Sequence, residues 1–128
     1  MTADEALALC CGASDLIRHH PASVAHRRGA AFVARQAIEG TTRAALGPYD
    51  TRRMRWRSRF LLLATLAGRD EARRHLARRG YLLWSAWSEV CHYRPYDLVP
   101  SAPVLLYRLD ETTAWIHTTA TAARSDGL

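Results

Sequence analysis

Hydrophobic residues recur along most of the chain at three- and four-residue spacing, which is typical of one face of an α-helix. The first such segment covers about residues 3–19, and Thr2 followed by Glu5 is the signature of a capping box at its start. A second segment begins at Ser23 and extends to about Leu46, where Gly47-Pro48 is a stop signal. Its apolar stripe consists mainly of alanine, so another helix can approach it closely.

Three further helices follow in the pattern. Residues 60–67 (F-L-L-L-A-T-L-A) are apolar all round, which predicts a short helix at the centre of the core. Asp70 can cap a fourth helix over residues 71–94, which Pro95 ends. Ser101 can cap a fifth helix that ends near His117, and the Thr, Ala and Ser residues beyond it predict a mobile tail over residues 118–128.

The chain contains no strand pattern, no glycine-rich phosphate loop and no internal repeat. Its helix lengths and short connections predict an all-α protein, an antiparallel bundle of four to five helices. A chain of 128 residues is typical of one domain that buries a core without disulfides or metal. We expect this domain to cover residues 1–117.

The charge balance is compatible with an anionic partner. The formal net charge is +6, and the chain is 48% hydrophobic and 23% charged, which argues against disorder. RNA or a nucleotide is therefore a candidate partner. All 18 basic residues are arginine, however, and this bias is also typical of a GC-rich genome, where it says little about phosphate contacts.

The cysteines, the N-terminal residues and the lengths of the apolar runs bear on the compartment. Cys10, Cys11 and Cys91 are odd in number and predict no disulfide framework. Asp4 and Glu5 stand where a signal peptide would be basic, and no apolar run has membrane-spanning length. We expect a cytoplasmic protein that does not enter a membrane. The histidines near residue 20 lack the spacing of a metal site, so no metal is predicted. No other cofactor is predicted either.

An arginine-rich segment precedes the third helix, and it admits two interpretations. Arg55, Arg57 and Arg59 surround Trp56 and Ser58, and basic residues interleaved with an aromatic residue suit phosphate contacts combined with base stacking. The alternative is a solvated helix start, whose arginine stems cover apolar surface.

The densest candidate chemistry lies near the end of the fourth helix, around His92. Glu89 and Ser88 precede His92 by three and four residues, so both side chains can approach its imidazole if the helix continues. A carboxylate beside a histidine favours the charged imidazole and fixes its tautomer, as a general base or an anion donor requires. The predicted catalytic residues are Glu89, His92, Tyr96 and Asp97. The predicted ligand-binding residues nearby are Ser88, Arg94, Trp84, Trp87 and Tyr93.

Structural interpretations of these residues stay open. A histidine beside tryptophan and cysteine on a helix is often a hydrogen-bonded core residue. Asp97 and Ser101 can simply cap the fifth helix. A second candidate is the segment Arg69 to His75 (R-D-E-A-R-R-H), a loose Arg-x(4–6)-His pattern that arises easily by chance in an arginine-rich chain.

Three segments resemble a group of small actinobacterial HEPN-like helical proteins: A-R-Q-A-I-E, R-S-R-F-L-L-L, and W-S-x-x-C-H-x-x-x-Y-D-L-x-P-S over residues 87–101. The resemblance implies a helical bundle, often a homodimer, in a class that includes ribonuclease toxins, antitoxin partners and nucleotide-binding modules. The group often has further histidines where this chain has Tyr93 and Arg94, and glutamate where it has Asp97.

Three functions follow as hypotheses. The first is an RNA- or nucleotide-binding protein that cleaves RNA, with His92 as base or phosphate donor, Arg94 stabilising phosphate charge and the arginines of residues 55–59 extending the contact. The second is a small-molecule enzyme or binding protein of specialised metabolism, with an aromatic pocket in which His92 and Asp97 are acid and base beside Tyr96. The third is an inert interaction module. An open basic groove favours the first, and an enclosed aromatic cavity around His92 favours the second.

Overall fold

The computed structural model of this chain describes residues 1–92 and 98–126. Within this part of the chain there are five helices and no strand, so the prediction of an all-α bundle is confirmed. The helices are α1 (Ala3–His19), α2 (Val24–Leu46), α3 (Trp56–Ala67), α4 (Glu71–Cys91) and α5 (Ala102–Asp126).

Several helix ends follow the sequence signals. The capping box at α1 is complete, because the Thr2 hydroxyl accepts from the Glu5 amide at 3.1 Å and the Glu5 carboxylate accepts from the Thr2 amide at 2.8 Å. Ser23 and Asp70 cap α2 and α4 through their side chains, which accept hydrogen bonds from the amides of His26 and Arg73. Gly47 and Gly68 end α2 and α3 with positive φ angles of 53° and 60°, a region that favours glycine.

The core is built around α2, which packs against all four other helices. Ala30, Ala31, Ala34, Ala37 and Ile38 are completely buried. Small side chains let the neighbouring backbones come close, as the alanine stripe predicts. α1 contributes a matching face to the same core, with the buried residues Ala6, Cys10, Ala13 and Ile17.

The prediction that the third helix is central to the core is wrong. Leu61 is 60% exposed and Leu66 is 45% exposed, and the only buried residues of α3 are Arg59 and Phe60. α3 packs mainly on α4. Because α3 is apolar all round, one main neighbour leaves part of its apolar surface exposed. Phe60 joins it to the core above Gly80, where a Cβ atom would lie 2.5 Å from the Trp115 ring and 3.0 Å from the Phe60 ring.

The predicted end of the fifth helix is also wrong, because α5 continues to Asp126. Thr119 is buried, and the hydroxyls of Thr118 and Thr121 donate to the carbonyls of Ala114 and His117. Such bonds to the preceding turn satisfy threonine within a helix. The mobility of residues 118–128 and the domain limit at residue 117 stay predictions.

α4 ends at Cys91, and His92 is its C-cap in an extended conformation, whereas the sequence predicted His92 inside the helix. The physical reason is Pro95: in a continuing helix its ring would clash with the Cys91 carbonyl four residues earlier. Among the described helices, none combines the length and the apolar character that a membrane span requires.

Candidate functional site

His92 lies at an exposed cleft of about 350 Å³ at the end of α4. Glu89 from α4, Arg28 from α2 and Arg108 from α5 line the same cleft, together with residues 98–100. The structure therefore brings together two of the predicted catalytic residues, Glu89 and His92. Arg28 and Arg108 were missed, because nothing in the local pattern distinguishes them from the other arginines of the chain. Two guanidinium groups favour an anionic ligand in this cleft.

The tryptophans predicted to line a ligand pocket lie elsewhere. Trp87 is completely buried in the core, and its Nε1 donates to the Thr112 hydroxyl at 2.9 Å. Trp84 is half-buried and packs against Trp56 and Phe60, with ring centres 6.4 and 6.3 Å away. Neither ring lines the His92 cleft, so an enclosed aromatic cavity around His92 is not formed by these residues.

Ser88 does not line the His92 cleft either. Its side chain is 7% exposed, and its hydroxyl has no hydrogen-bond partner within the described ranges. The predicted approach of Ser88 to the imidazole assumed that both residues belong to one helix. Because α4 ends at Cys91, the spacing of four residues no longer places His92 on the Ser88 face.

The four remaining residues of the predicted site lie outside the described residues: Tyr93, Arg94, Tyr96 and Asp97. The acid–base pairing of His92 with Asp97, and the roles of Tyr96 and Arg94, therefore stay predictions.

Cys91, the last residue of α4, is half-buried. Burial raises the pKa of its thiol, the Arg35 guanidinium lowers it, and the Glu39 carboxylate raises it. The net effect is upward, so the thiol is protonated at neutral pH and is a weak nucleophile. Cys10, Cys11 and Cys91 are all free thiols.

A second candidate site is a groove between α3 and α4 with a volume of about 560 Å³. We call it the basic groove, because four cationic or titratable nitrogen-bearing side chains line it. Its other lining residues are apolar or aromatic, apart from one carboxylate. The set comprises Arg57, Arg74, His75 and Arg78, with Phe60, Leu61, Ala64, Ala77, Tyr81 and Glu71.

The charges of the basic groove are only partly neutralised. Arg74 pairs with Glu71 at 2.8 Å, and both side chains are substantially exposed. Arg57 and Arg78 form no ion pair with any residue of the described ranges, and both are exposed. The groove therefore offers two uncompensated guanidinium groups beside an apolar floor.

The three arginines predicted as a ligand-binding group have three different surroundings. Arg57 lines the basic groove, whereas Arg55 is the exposed residue just before α3. Arg59 is buried: its Nε and Nη2 donate to the Thr51 carbonyl at 3.1 and 2.9 Å, and its guanidinium lies 4.2 Å from the Trp56 ring centre. Arg59 thus holds the loop before α3 in place.

The Arg69 to His75 pattern is only half represented in the basic groove. His75 lines it, but Arg69 lies in the exposed turn before α4 and does not. Arg74 lies within the predicted segment but is not one of the two residues of the pattern, and Arg78 and Tyr81 lie beyond the segment. Arg74 and Arg78 are four residues apart on one helical face, which is a signal that the sequence does contain.

Aromatic side chains adjoin the basic groove on its inner side. Phe60 and Tyr81 line it, and their ring centres are 6.0 Å apart in an edge-on arrangement. Tyr81 also stacks on Trp84 at 6.3 Å. This cluster fixes α3 on α4 and gives the groove a rigid apolar wall.

Within the described ranges, no group of three His, Cys, Asp or Glu side chains is arranged to hold a metal ion. No protein-family model, curated protein or solved structure matches the chain. The resemblance to HEPN-like proteins, the homodimer that it implies and the cytoplasmic location therefore stay predictions.

Proposed function

We propose that the chain binds single-stranded RNA through the basic groove. The observation that carries the proposal is the convergence of Arg57 from α3 with Arg74 and Arg78 from α4 on one open groove that also has an aromatic wall. Arginines bind phosphate oxygens, and an exposed aromatic or apolar surface stacks on unpaired bases. The net charge of +6 adds a long-range attraction for a polyanion.

The openness of the groove supports an extended ligand. The groove lies at the surface between two helices, and its cationic side chains come from both of them. A strand lying along it can contact Arg57 on one side and Arg74 and Arg78 on the other. Tyr81 and Leu61 then face the bases. Stacking contacts of this kind tolerate any base, so we expect little sequence preference.

The test is a titration of a fluorescent single-stranded RNA oligonucleotide at several salt concentrations. We expect micromolar or tighter binding at low salt that weakens steeply as salt rises. Replacement of both uncompensated arginines (Arg57→Gln with Arg78→Gln) should lower the slope of log affinity against log salt by about 1.4, since each single-strand phosphate contact contributes about 0.7.

The matched control removes the same two charges elsewhere, with Arg18→Gln and Arg53→Gln. Both side chains are exposed, and neither lines the basic groove. The control should keep nearly all of the salt slope. Equal losses in the two double variants would show that net charge alone attracts RNA, and no binding by the unmodified protein at low salt would overturn the proposal.

RNA cleavage is a further part of this proposal. The two candidate bases are His75 in the basic groove and His92 in its separate cleft. An imidazole near a bound strand can take the proton of a 2′-hydroxyl, and the 2′-oxygen then attacks the adjacent phosphate. The bond from phosphorus to the 5′-oxygen breaks, and the leaving 5′-oxygen takes a proton from water, which gives a 2′,3′-cyclic phosphate and a 5′-hydroxyl. If His75 is the base, His75→Asn abolishes cleavage and leaves binding intact, while His92→Asn changes neither. The reverse result assigns the base to His92, as the sequence pattern predicts.

A further inference from the structure

A third cavity lies at the other end of α3, where α2 and α3 end and α5 passes. We call it the terminal cleft. It has a volume of about 300 Å³ and shares no lining residue with the basic groove. Its walls are mainly aliphatic, and the residues that matter here are Leu46, Leu63, Leu66, Leu76, Tyr49 and Thr119.

Thr119 gives this cleft a buried polar group. Its side chain is 5% exposed, and its hydroxyl has no hydrogen-bond partner among the described residues. Six other helical threonines donate to the carbonyl four residues earlier at 2.8–3.0 Å: Thr41, Thr42, Thr65, Thr112, Thr118 and Thr121. Thr119 does not make this local bond, so its hydroxyl, which is shielded from water, keeps an unused hydrogen-bonding capacity beside the cleft.

Thr119 also lies where two cavities meet. A neighbouring cavity of about 270 Å³, at the start of α1, shares Ala45, Thr119 and Ala123 with the terminal cleft. Only small side chains therefore stand between the two cavities. A molecule in the terminal cleft therefore reaches the shielded Thr119 hydroxyl after a small shift of the threonine rotamer or of a neighbouring alanine, and no large side chain has to move.

The charge at the terminal cleft is already balanced. Arg73 lines it, but its Nε lies 3.3 Å from the Asp70 carboxylate and its Nη2 donates to the Ala122 carbonyl at 3.2 Å. A ligand carboxylate would have to compete with Asp70 for this guanidinium. A ligand that fits the cleft therefore needs only one polar group, a neutral one that hydrogen-bonds to Thr119.

We infer that the terminal cleft is a binding site for a small neutral apolar molecule with one carbonyl or hydroxyl group, which hydrogen-bonds to Thr119. A cavity of roughly 150 Å³ accommodates benzene, so one twice that size takes a ligand of about a dozen non-hydrogen atoms. Aryl ketones, phenols and short aliphatic alcohols belong to this class. The site is independent of the RNA-binding proposal, because the two cavities share no residue.

The test compares two probes of nearly equal shape, 4-fluoroacetophenone and 4-fluoroethylbenzene, by ¹⁹F NMR titration. The ketone can accept a hydrogen bond from Thr119 and the hydrocarbon cannot. We expect the ketone to bind about fivefold more tightly, the ratio that corresponds to one ordinary hydrogen bond. Thr119→Val, which is close to isosteric, should remove this preference, and Thr119→Ser should keep it.

The location is tested separately. Ala67→Phe places a ring in the cleft and should abolish binding of both probes, whereas Ala8→Phe on the exposed side of α1 should have no effect. In the unmodified protein, nuclear Overhauser contacts from the probe ring should reach the methyl groups of Leu63 and Leu66. This measurement does not depend on the folding of any variant.

Three results would overturn the inference. The first is no binding of either probe up to its solubility limit. The second is equal affinity for the two probes, which would show that Thr119 makes no contact with the ketone. The third is a set of Overhauser contacts that lie entirely outside the terminal cleft.

Discussion

The helices α2 and α3 differ in how completely the bundle buries them. α2 is rich in alanine and almost neutral in its apolar character, yet five of its alanine and isoleucine side chains are fully buried. α3 is rich in leucine, yet Leu61 and Leu66 are largely exposed. The difference is the number of neighbours: α2 packs against four helices, and α3 packs mainly against one.

This comparison shows that position in the bundle, and not apolar content, decides burial. Small side chains allow several helices to approach α2 at once, which puts it at the centre. Bulky leucines keep neighbours at a distance and leave α3 at the edge. Both proposed binding sites border α3, the basic groove on one side and the terminal cleft at its end. The least buried helix is therefore the one that offers surface to ligands.

The largest expected effect contrasts truncations in the two helices. Ile38→Ala on α2 removes three carbons from a completely buried side chain and should lower the free energy of unfolding by about 3 kcal/mol. Leu61→Ala on α3 removes a side chain that is 60% exposed and should cost less than about 0.5 kcal/mol. Urea unfolding followed by circular dichroism measures both.

A cost for Leu61→Ala as large as that for Ile38→Ala would contradict the peripheral position of α3. The same outcome would follow if Leu61 were covered by a second copy of the chain. Repeating the measurement at tenfold lower protein concentration distinguishes these two cases, since only an interface contribution depends on concentration.

Much of the fold is predictable from local signals. The caps at Thr2, Ser23 and Asp70 and the stops at Gly47 and Gly68 are made by residues within a few positions of each helix end, so the sequence contains the whole interaction. The burial of α3 is not local. It depends on how many helices reach its surface, and the apolar pattern of one segment contains no information about that.

The candidate site was predicted less well for the same reason. The pattern around His92 assumed a continuous helix, and the end of α4 at Cys91 separated His92 from Ser88. Trp87 was assigned to a ligand, but its partner is Thr112, a residue 25 positions away that no local pattern connects to it. The basic groove combines Arg57 with Arg78 from another helix, and only the packing of α3 on α4 brings them to one groove.

The second prediction, of medium size, is that Arg59 and Arg57 of α3 contribute differently to the free energy of unfolding. Arg59→Met removes two hydrogen bonds to the Thr51 carbonyl and the contact with the Trp56 ring, and should lower the free energy of unfolding by about 2 kcal/mol. Arg57→Met removes an exposed side chain and should leave stability within about 0.5 kcal/mol of the unmodified protein. RNA affinity should respond in the opposite order, with the larger loss in Arg57→Met.

If both variants lose stability and RNA affinity together, there is no distinction between a structural arginine and a ligand-binding arginine. Binding is therefore measured at a temperature where circular dichroism shows both variants to be fully folded. If only Arg59→Met loses RNA affinity, the phosphate contact belongs to Arg59, and our assignment of that contact to Arg57 is wrong.

The smallest expected effect measures how tightly the core around α1 excludes water. Burial raises the pKa of the Cys10 thiol to about 11 from its ordinary value of 9.0, partly offset by a hydrogen bond with Thr113. Between pH 9 and pH 11 the folded chain keeps a proton that the unfolded chain loses, so the contribution of this thiol to stability is constant below pH 9 and falls as the pH rises above it. At pH 10 the loss should be about 1 kcal/mol relative to pH 8.

The measurement is the difference in unfolding free energy between pH 8 and pH 10, compared among the unmodified protein, Cys10→Ala and Cys11→Ala. Other groups that titrate in this range contribute equally to all three and cancel in the comparison. Cys10→Ala should show a smaller decrease than the unmodified protein, although it is less stable at both pH values. Cys11→Ala should show nearly the same decrease, because the Cys11 side chain is exposed and its charge is the smallest of the three causes that set the pKa of Cys10. Identical decreases in all three proteins would mean that water reaches Cys10 as readily as Cys11. The contrast between a tightly packed core and an open α3 would then fail, because the core would not exclude water.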